Sequence, residues 1–442
     1  MALTTSDRDT IANDDQYAPV DMTALLRELF PITRSITGNG VRQTLASLSK
    51  FVPLSIHEVP TGTSVFDWEV PEEWNIRGAV IKTLTGRTVV DFAESNLHVV
   101  SYSVPVEKEI SREELAAHVH TLPDQPNSIP YRTGYYARDW GFCMRHSTWL
   151  SMQDDRYLVQ IDSGLAPGSL TYGEYFIPGE TEKEILISVH VCHPSLANDN
   201  LSGVVVATAL AALLSHGGPR RLGVRFLFLP ATIGAITWLA QNEGKLDSIA
   251  HGLVLTCIGD AGPFHYKTSR SGAAIDRAVE HVLRHAGHDY EILPFSPYGY
   301  DERQYGSPGL NLPVGCFMRA VHGTFPEYHT SDDNCDFVTS AALEQSFSVL
   351  VDVLHLLDND RVFQRTDGRG EPQLGRRGLY RAIAGQREAG GASQMDLLWL
   401  LNLADGSHSI LEIADRANVP FRRILAAAKL SLEAELIAEV SQ

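Results

Sequence analysis

An α/β three-layer sandwich with a mostly parallel sheet, a small β domain inserted near its start and a winged-helix-like module at its end is the fold predicted by this 442-residue chain. Three observations carry the prediction. From Ser163 to about Asp360 apolar strands alternate with helices, a pattern of βαβ units with helices on both faces of the sheet. Between about Gly62 and Ser163 the chain turns to short β-branched or alternating runs broken by Gly, Pro, Asn and Asp, the spacing of an antiparallel β unit. Beyond Met395, short amphipathic stretches follow one another across tight turns. The boundaries fall at residues 18–62 and 164–360 for the α/β domain, 63–163 for the insertion, 361–391 for a linker or arm, and 392–442 for the terminal module.

Taken in order, residues 1 to about 17 read as a disordered leader, and helices are predicted from Met22 to Leu29 and from Val41 to Ser49, on either side of Thr33-Arg34-Ser35-Ile36-Thr37-Gly38. The inserted unit offers strands at Gly78–Thr83, Thr88–Phe92 and Leu97–Val100. Its crowd of aromatics (Trp68, Trp74, Tyr131, Tyr135, Tyr136, Trp140) reads as the core of a small β domain, because each ring buries a large apolar surface. Strands follow at Ile185–Val191, Gly223–Leu229, Gly252–Ile258 and Leu312–Phe317, and helices at Asn200–Ser215, Ile233–Asn242, Ala273–Ala286 and Ser340–Leu357. Arg361–Gly391 has little periodicity and reads as the linker. Met395–Leu403, Ile410–Ala417 and Pro420–Glu435 make three helices with turns at Asp405-Gly406-Ser407 and Asn418-Val419-Pro420.

Composition narrows the functions. A formal charge of −18 and a pI near 5.4 would repel a phosphate backbone, and Glu388–Gln442 holds eight acidic against four basic residues, so no nucleic acid partner is expected and the terminal module reads as a protein-contact or structural element, with a homo-oligomer possible. The five cysteines are widely spaced without a CxxC pair, which fits a reduced, cytoplasmic protein. No apolar window of membrane-spanning length and no Gly-rich phosphate loop after a strand is read, which argues against a membrane, nucleotide or flavin partner.

The chemistry gathers on His190-Val191-Cys192-His193-Pro194-Ser195-Leu196-Ala197-Asn198-Asp199-Asn200-Leu201-Ser202-Gly203. An apolar strand delivers two histidines into a polar loop, and an Asp stands at the mouth of a long helix. Imidazole and carboxylate suit zinc, and strand carboxyl ends are where an open α/β sheet collects ligands. Other candidate groups follow at the ends of α/β elements: Asp260 after Leu253–Gly259, the polar cluster Asp301-Glu302-Arg303-Gln304-Tyr305, His329 in Glu327–Asn334, and Glu174 in Thr171–Glu174.

A strand ending in His, Asp-Asn-x-Ser-Gly opening a helix, a strand-end acid and a late His-Thr resemble the zinc aminopeptidase superfamily, which includes zinc carboxypeptidases and glutaminyl cyclases. The whole chain is similar to a bacterial aminopeptidase-like family with a nested β domain and a C-terminal winged helix, through Ile32–Gly38, Phe66-Asp67-Trp68-Glu69-Val70-Pro71, His190–Gly203, Tyr300–Tyr305 and Tyr328-His329-Thr330-Ser331. The resemblance implies one or two zinc ions, with His190 a ligand, Asp199 the bridging carboxylate, Asp260 a ligand of the first metal and His329 of the second.

Two departures stand out. The peptidases carry a Glu-Glu pair before a Gly, as general base and ligand, where this chain has Ala231-Thr232 ahead of Gly234. Cys192 occupies the place of an Asp that orients the first His, so a thiolate could bind zinc, and His193 could replace a missing ligand. Loss of a general base costs roughly 10²–10⁴-fold; Glu302, then Asp301 and Glu174, are the carboxylates that could take its work. The expected function is a zinc-dependent, aminopeptidase-like amide hydrolase acting on a small peptide or aminoacyl substrate. The alternatives are a metal-dependent acyl-transfer or cyclisation enzyme in polysaccharide or natural-product biosynthesis, and a catalytically inactive metal-binding scaffold.

Overall fold

The computed structural model describes residues 20–379 and 392–440; the expected leader and the later part of the expected linker lie outside them. Asp21 caps the first helix, α1 (Met22–Leu29), by accepting from the N–H of Ala24, and the helix buries Leu25, Leu26 and Leu29. Helix α2 (Asn39–Leu48) buries Val41, Thr44, Leu45 and Leu48 at the same period.

The central sheet has eight strands: β1 (Ser55–Pro60), then β6 (Ser169–Ile177), β7 (Glu184–His190), β8 (Gly223–Leu229), β9 (Ile249–Leu255), β10 (Phe264–Lys267), β11 (Tyr290–Leu293) and β12 (Val314–Met318), in spatial order β1-β6-β8-β7-β9-β12-β10-β11. The middle four, β8, β7, β9 and β12, are mutually parallel, whereas β1, β6 and β10 pair antiparallel with their inner neighbours, so the sheet is mixed. Every residue of β7 is buried, which is why the strand is apolar apart from Glu184, Ser188 and His190. On one face pack α1, α2, α3 (Gly203–Ser215), α5 (Ala274–Ala286) and α6 (Ser340–Asn359); on the other lie α4 (Ile233–Asn242) and the turn Glu302–Tyr305. The apolar stretches Ala197–Ser215 and Ser340–Asn359 are long enough to cross a membrane, contrary to the expectation that no window is; the first is 89% and the second 50% buried inside the molecule.

The insertion is an antiparallel sheet of β2 (Glu73–Thr83), β3 (Thr88–Asp91), β4 (Val106–Ser111) and β5 (Arg156–Ala166) in the order β3-β2-β5-β4. Tyr157, Val159 and Ile161 alternate inward along β5, whose chain then continues into β6 of the central sheet. The strand expected at Leu97–Val100 is instead a short 3₁₀ turn, Asn96–His98, because the Ser95 hydroxyl accepts from the N–H of Leu97 and caps it.

The C-terminal module comprises α7 (Gln394–Leu403), α8 (Ile410–Ala417) and α9 (Phe421–Glu433) with a sheet ordered β14-β13-β15: β13 (Val362–Arg365), β14 (Asp405–Ser409) and β15 (Ile437–Glu439). The expected linker therefore begins with the central strand of this sheet, too short for periodicity to show and paired with residues far downstream. Asp415 on α8 accepts from Arg277 at 2.7 Å and pairs with His281 at 2.6 Å on α5, while His281 Nε2 accepts from the N–H of Phe421 at 2.9 Å. The first turn of α9 thus lies against the α/β unit, and the two share one apolar core.

Candidate metal centre

Strand β7 ends at His190, and the loop after it folds back so that His190 Nε2 stands 2.9 Å from one oxygen of Asp199 while His329 Nε2 stands 3.0 Å from the other. The carboxylate is thus bracketed by two imidazoles, and one donor atom from each of His190, His193 and Asp199 lies within 4.8 Å of the other two. The rings of His193 and His329 are 5.1 Å apart, which brings the fourth side chain to the same place. His190 and Asp199 are fully buried as side chains, and His329 is about a third exposed.

The loop is held by groups that accept its N–H atoms and donate to its carbonyls. Asp333 receives the N–H of Asn198 at 2.6 Å and of Asp199 at 2.9 Å. The Arg34 guanidinium, 1% exposed, donates to the carbonyls of His193 and Pro194 at 2.8 Å each and to that of Leu29. Asn198 and Asn200 tie the turn to the end of β9 through Gly259 N, Asp260 and Leu255 O. A Cβ on Gly203 would stand 2.7 Å from the carbonyl oxygen of Leu255, so the last residue of the Asp-Asn-x-Ser-Gly run has no room for a side chain.

Aromatic rings enclose the four side chains. Tyr300 stacks on His190 at 4.8 Å and Tyr328 on His329 at 4.0 Å, with their hydroxyls 3.4 Å apart. Tyr131, from the inserted unit, meets His193 and His329 edge-on at 5.1 Å each. Its N–H donates to the His329 carbonyl at 2.7 Å, and Ser331 N–H donates to Ile129 O at 2.8 Å. These bonds hold His329 at φ +55°, a left-handed conformation that costs a non-glycine residue on the order of 1 kcal/mol or more.

Electrostatics follow from this enclosure. Burial alone would raise the Asp199 carboxyl, but His193 and the bonds from His190 and His329 hold it well below the ordinary range. Burial pushes the His193 imidazole below its usual value against the pull of Asp199, and pushes the Cys192 thiol far above its own, so that the thiol is neutral at neutral pH.

Of the residues singled out in the sequence, His190, His193, Asp199 and His329 come together, Cys192 Sγ stands 3.9 Å from His193 Nδ1, and no hydrogen bond or ion pair joins Asp260, Asp301, Glu302 or Glu174 to that group. Asp260 accepts from Asn198 Nδ2 at 2.9 Å, Ala320 N at 3.0 Å and Gly262 N at 2.8 Å, which occupies both of its oxygens and makes it a brace for the loop. Glu302 is fully buried against the Lys267 ammonium, and neither oxygen of the buried Asp301 has a hydrogen-bond partner. Glu174 lies on β6 among Arg225, Trp238 and His57. Ala231 follows β8, its N–H 3.3 Å from Cys192 Sγ, so the two departures from the peptidase pattern are neighbours. Three contributors escaped sequence reasoning. Asp333 sits in the same polar loop as His329 and looks no different from Asp332, Arg34 lies in a motif without periodicity, and Tyr131 reads as core of another domain.

Whether this group suits a metal ion can be tested on the chain itself. Histidine nitrogens facing a fully buried carboxylate, with no lysine or arginine paired to it among the described residues, leave a negative charge that a divalent cation would balance. The buried Nδ1 of His190 also lacks a hydrogen-bond partner there. The donors are nitrogen and oxygen, the set that zinc accepts.

Comparison with known proteins gives the following. Residues 23–360 match the family model described as Domain of unknown function (DUF4910), and residues 361–439 match a winged helix-turn-helix model. A Clostridium acetobutylicum protein whose name refers to polysaccharide biosynthesis and an aminopeptidase-like domain is 49% identical over 414 residues, 93% of this chain and 95% of that one. A crystal structure from the same organism superposes with a TM-score of 0.90 at 47% identity, covering 95% of this chain and 96% of that chain. The zinc aminopeptidase of Bacillus subtilis shares the fold at 13% identity, with a TM-score of 0.54 over 76% of this chain and 94% of its own.

Proposed function

The chain belongs to the DUF4910 family, and from that premise we propose that it is a metal-dependent, aminopeptidase-like amide hydrolase acting in the cytoplasm on a small peptide or aminoacyl substrate. The observation that carries the reading is the bracketing of the buried Asp199 carboxylate by His190 and His329, with His193 beside them. The aminopeptidase fold supports the reaction class, and five unpaired cysteines support a reducing compartment.

In this proposal His190, His193, Asp199 and His329 hold the metal, zinc by donor type. When bound, such an ion polarises a carbonyl and brings the pKa of its water towards 7. The chain's own residues do the rest. Asp333, Arg34 and the two asparagines fix the loop so that Asp199 keeps both oxygens turned inward. Tyr300 and Tyr328, whose hydroxyls burial raises above their usual value, remain protonated, and Tyr300 donates to Tyr328, which leaves the Tyr328 hydroxyl proton free to donate. Ala231 accepts no proton, the Cys192 thiol beside it stays neutral, and the Glu302 carboxylate is taken by Lys267. Proton abstraction therefore falls to solvent or to the substrate, and turnover of simple aminoacyl amides should be slow by roughly 10²–10⁴-fold relative to an enzyme with a positioned base.

Metal analysis on protein purified without added zinc tests the reading. About one equivalent or more of metal is expected in the parent and little in His190→Ala. Ala231→Glu should raise hydrolysis of aminoacyl amides. Protein that is metal-free and gains no thermal stability from added zinc would rule out the hydrolase and every other metal-dependent reading with it.

A further inference from the structure

The winged-helix module meets the α/β unit at a buried imidazole. His281 of α5, 1% exposed, faces α9 with one ring nitrogen and α8 with the other. Pro420 stands in the capping position of α9 and offers no side-chain acceptor, so the N–H of Phe421 has no partner within its own helix. His281 Nε2 accepts that N–H at 2.9 Å, and Nδ1 lies 2.6 Å from Asp415 Oδ1. A ring nitrogen that accepts is unprotonated, so the single proton sits on Nδ1 and is donated to the carboxylate. A neutral histidine of one unit thus caps a helix of the other.

The groups around this ring come from four elements. On α5, Arg277 and Arg284 both pair with Asp415, and the His285 ring lies 4.7 Å away. Helix α8 supplies Asp415 and also Glu412, which pairs with Arg277. Arg422 of α9 and Asp352 and His355 of α6 line, with His281 and His285, a cavity of about 70 Å³ beside the junction. That is room for water, and His285 Nε2 is buried without a hydrogen-bond partner among the described residues. Protonating His281 at Nε2 would set an N–H against the Phe421 N–H, and two donors cannot share that bond. Burial opposes the added charge first, Arg284 and Arg277 oppose it as well, and Asp415 favours it; the balance holds the His281 imidazole below its ordinary value.

We propose that His281 is a pH-sensitive catch: as a neutral ring it fastens the first turn of α9 to the α/β unit, and on protonation it lets that turn go. Away from the junction the imidazole has its ordinary value near 6.5, and in the junction a lower one. The fastened form therefore binds fewer protons, so the catch is closed above about pH 6.5 and weakens as pH falls below it.

The test is hydrogen exchange on the full chain, with protection of the Phe421 amide taken relative to its intrinsic rate at each pH. Protection should fall by roughly threefold or more between about pH 7.5 and about pH 5.5, with that of Val189 in β7 unchanged. His281→Gln, whose amide accepts from Phe421 and donates to Asp415 throughout that range, should abolish the fall, and His285→Gln should leave it in place. Protection that does not change with pH, a fall that Val189 shares, a fall that His281→Gln retains or one that His285→Gln removes overturns the proposal. Should His281→Gln not fold, nitrogen NMR of the parent's imidazole takes its place. A proton on Nδ1 and none on Nε2 is expected at the higher pH; the opposite tautomer, or a ring already charged there, overturns the catch.

Discussion

At the scale of single residues, the cost of function is concentrated in a few buried groups. Asp301 is the clearest. In the unfolded chain its carboxyl releases a proton near the ordinary value, whereas in the folded protein burial and Glu302 hold that proton to about pH 8. Between those values the unfolded state binds fewer protons, so stability falls as pH rises, by at most about 1.4 kcal/mol per pH unit from this group. Asp301→Asn should remove that slope. Urea midpoints should show the variant gaining on the parent from about pH 5 to about pH 8, and equal slopes would exclude a buried neutral carboxyl. Arg34 is the opposite case, a buried cation held close to about 9 by desolvation and spent on backbone carbonyls. Arg34→Met would leave those acceptors without donors and should lower stability by about 3 kcal/mol or more, read by chemical denaturation. The chemistry-bearing histidines were legible in the sequence because a strand-end His and an Asp before an apolar helix form a pattern. Arg34 and Asp333 were not, since a residue that satisfies backbone groups has no spacing of its own.

Among elements, the decisive contact joins the inserted unit to the loop that carries His329. Ser128 Oγ donates to Asp332 at 2.5 Å and Ile129 N–H to Ser331 Oγ at 3.0 Å, beside the bridge between Pro130 and Thr330. Ser128→Ala should cost about 1.5–3 kcal/mol, a hydrogen bond to a charged group. Hydrogen exchange should localise the loss to residues 326–332; loss spread evenly over the chain would show that the contact is incidental. The strands and helices of the α/β unit fall close to their expected places because fully buried parallel strands and long apolar helices are unambiguous. The insertion was read as a β unit with its aromatic residues as core; it has a core of its own, but of those residues only Trp140 packs there, Trp74 and Tyr135 join the core of the α/β unit, Tyr131 packs in a separate small cluster, and Trp68 and Tyr136 are exposed. Periodicity describes which face of an element is apolar and says nothing of which neighbour covers it.

In the molecule as a whole, the winged-helix module is integral. Its apolar residues continue the core of the α/β unit, and Asp415 gathers Arg277, His281 and Arg284 of α5 around the start of α9. Packed in this way, the N–H of Phe421 at the start of that helix is engaged by His281 of α5. Asp415→Ala should loosen the module, seen as faster proteolytic cleavage between the two parts with the α/β unit left intact; unchanged cleavage would mean that apolar packing alone holds it. A further consequence concerns synthesis. The Asp199 turn takes its backbone bonds from Asp333, 134 and 135 positions downstream, and the His329 loop takes one of its own from Ile129, 202 positions upstream. On a ribosome the histidines of the first loop therefore emerge long before the residues that aim them. A nascent or prematurely terminated chain that stops short of Asp333 carries those histidines without their geometry, and the candidate metal centre takes shape only once nearly the whole α/β unit has been made.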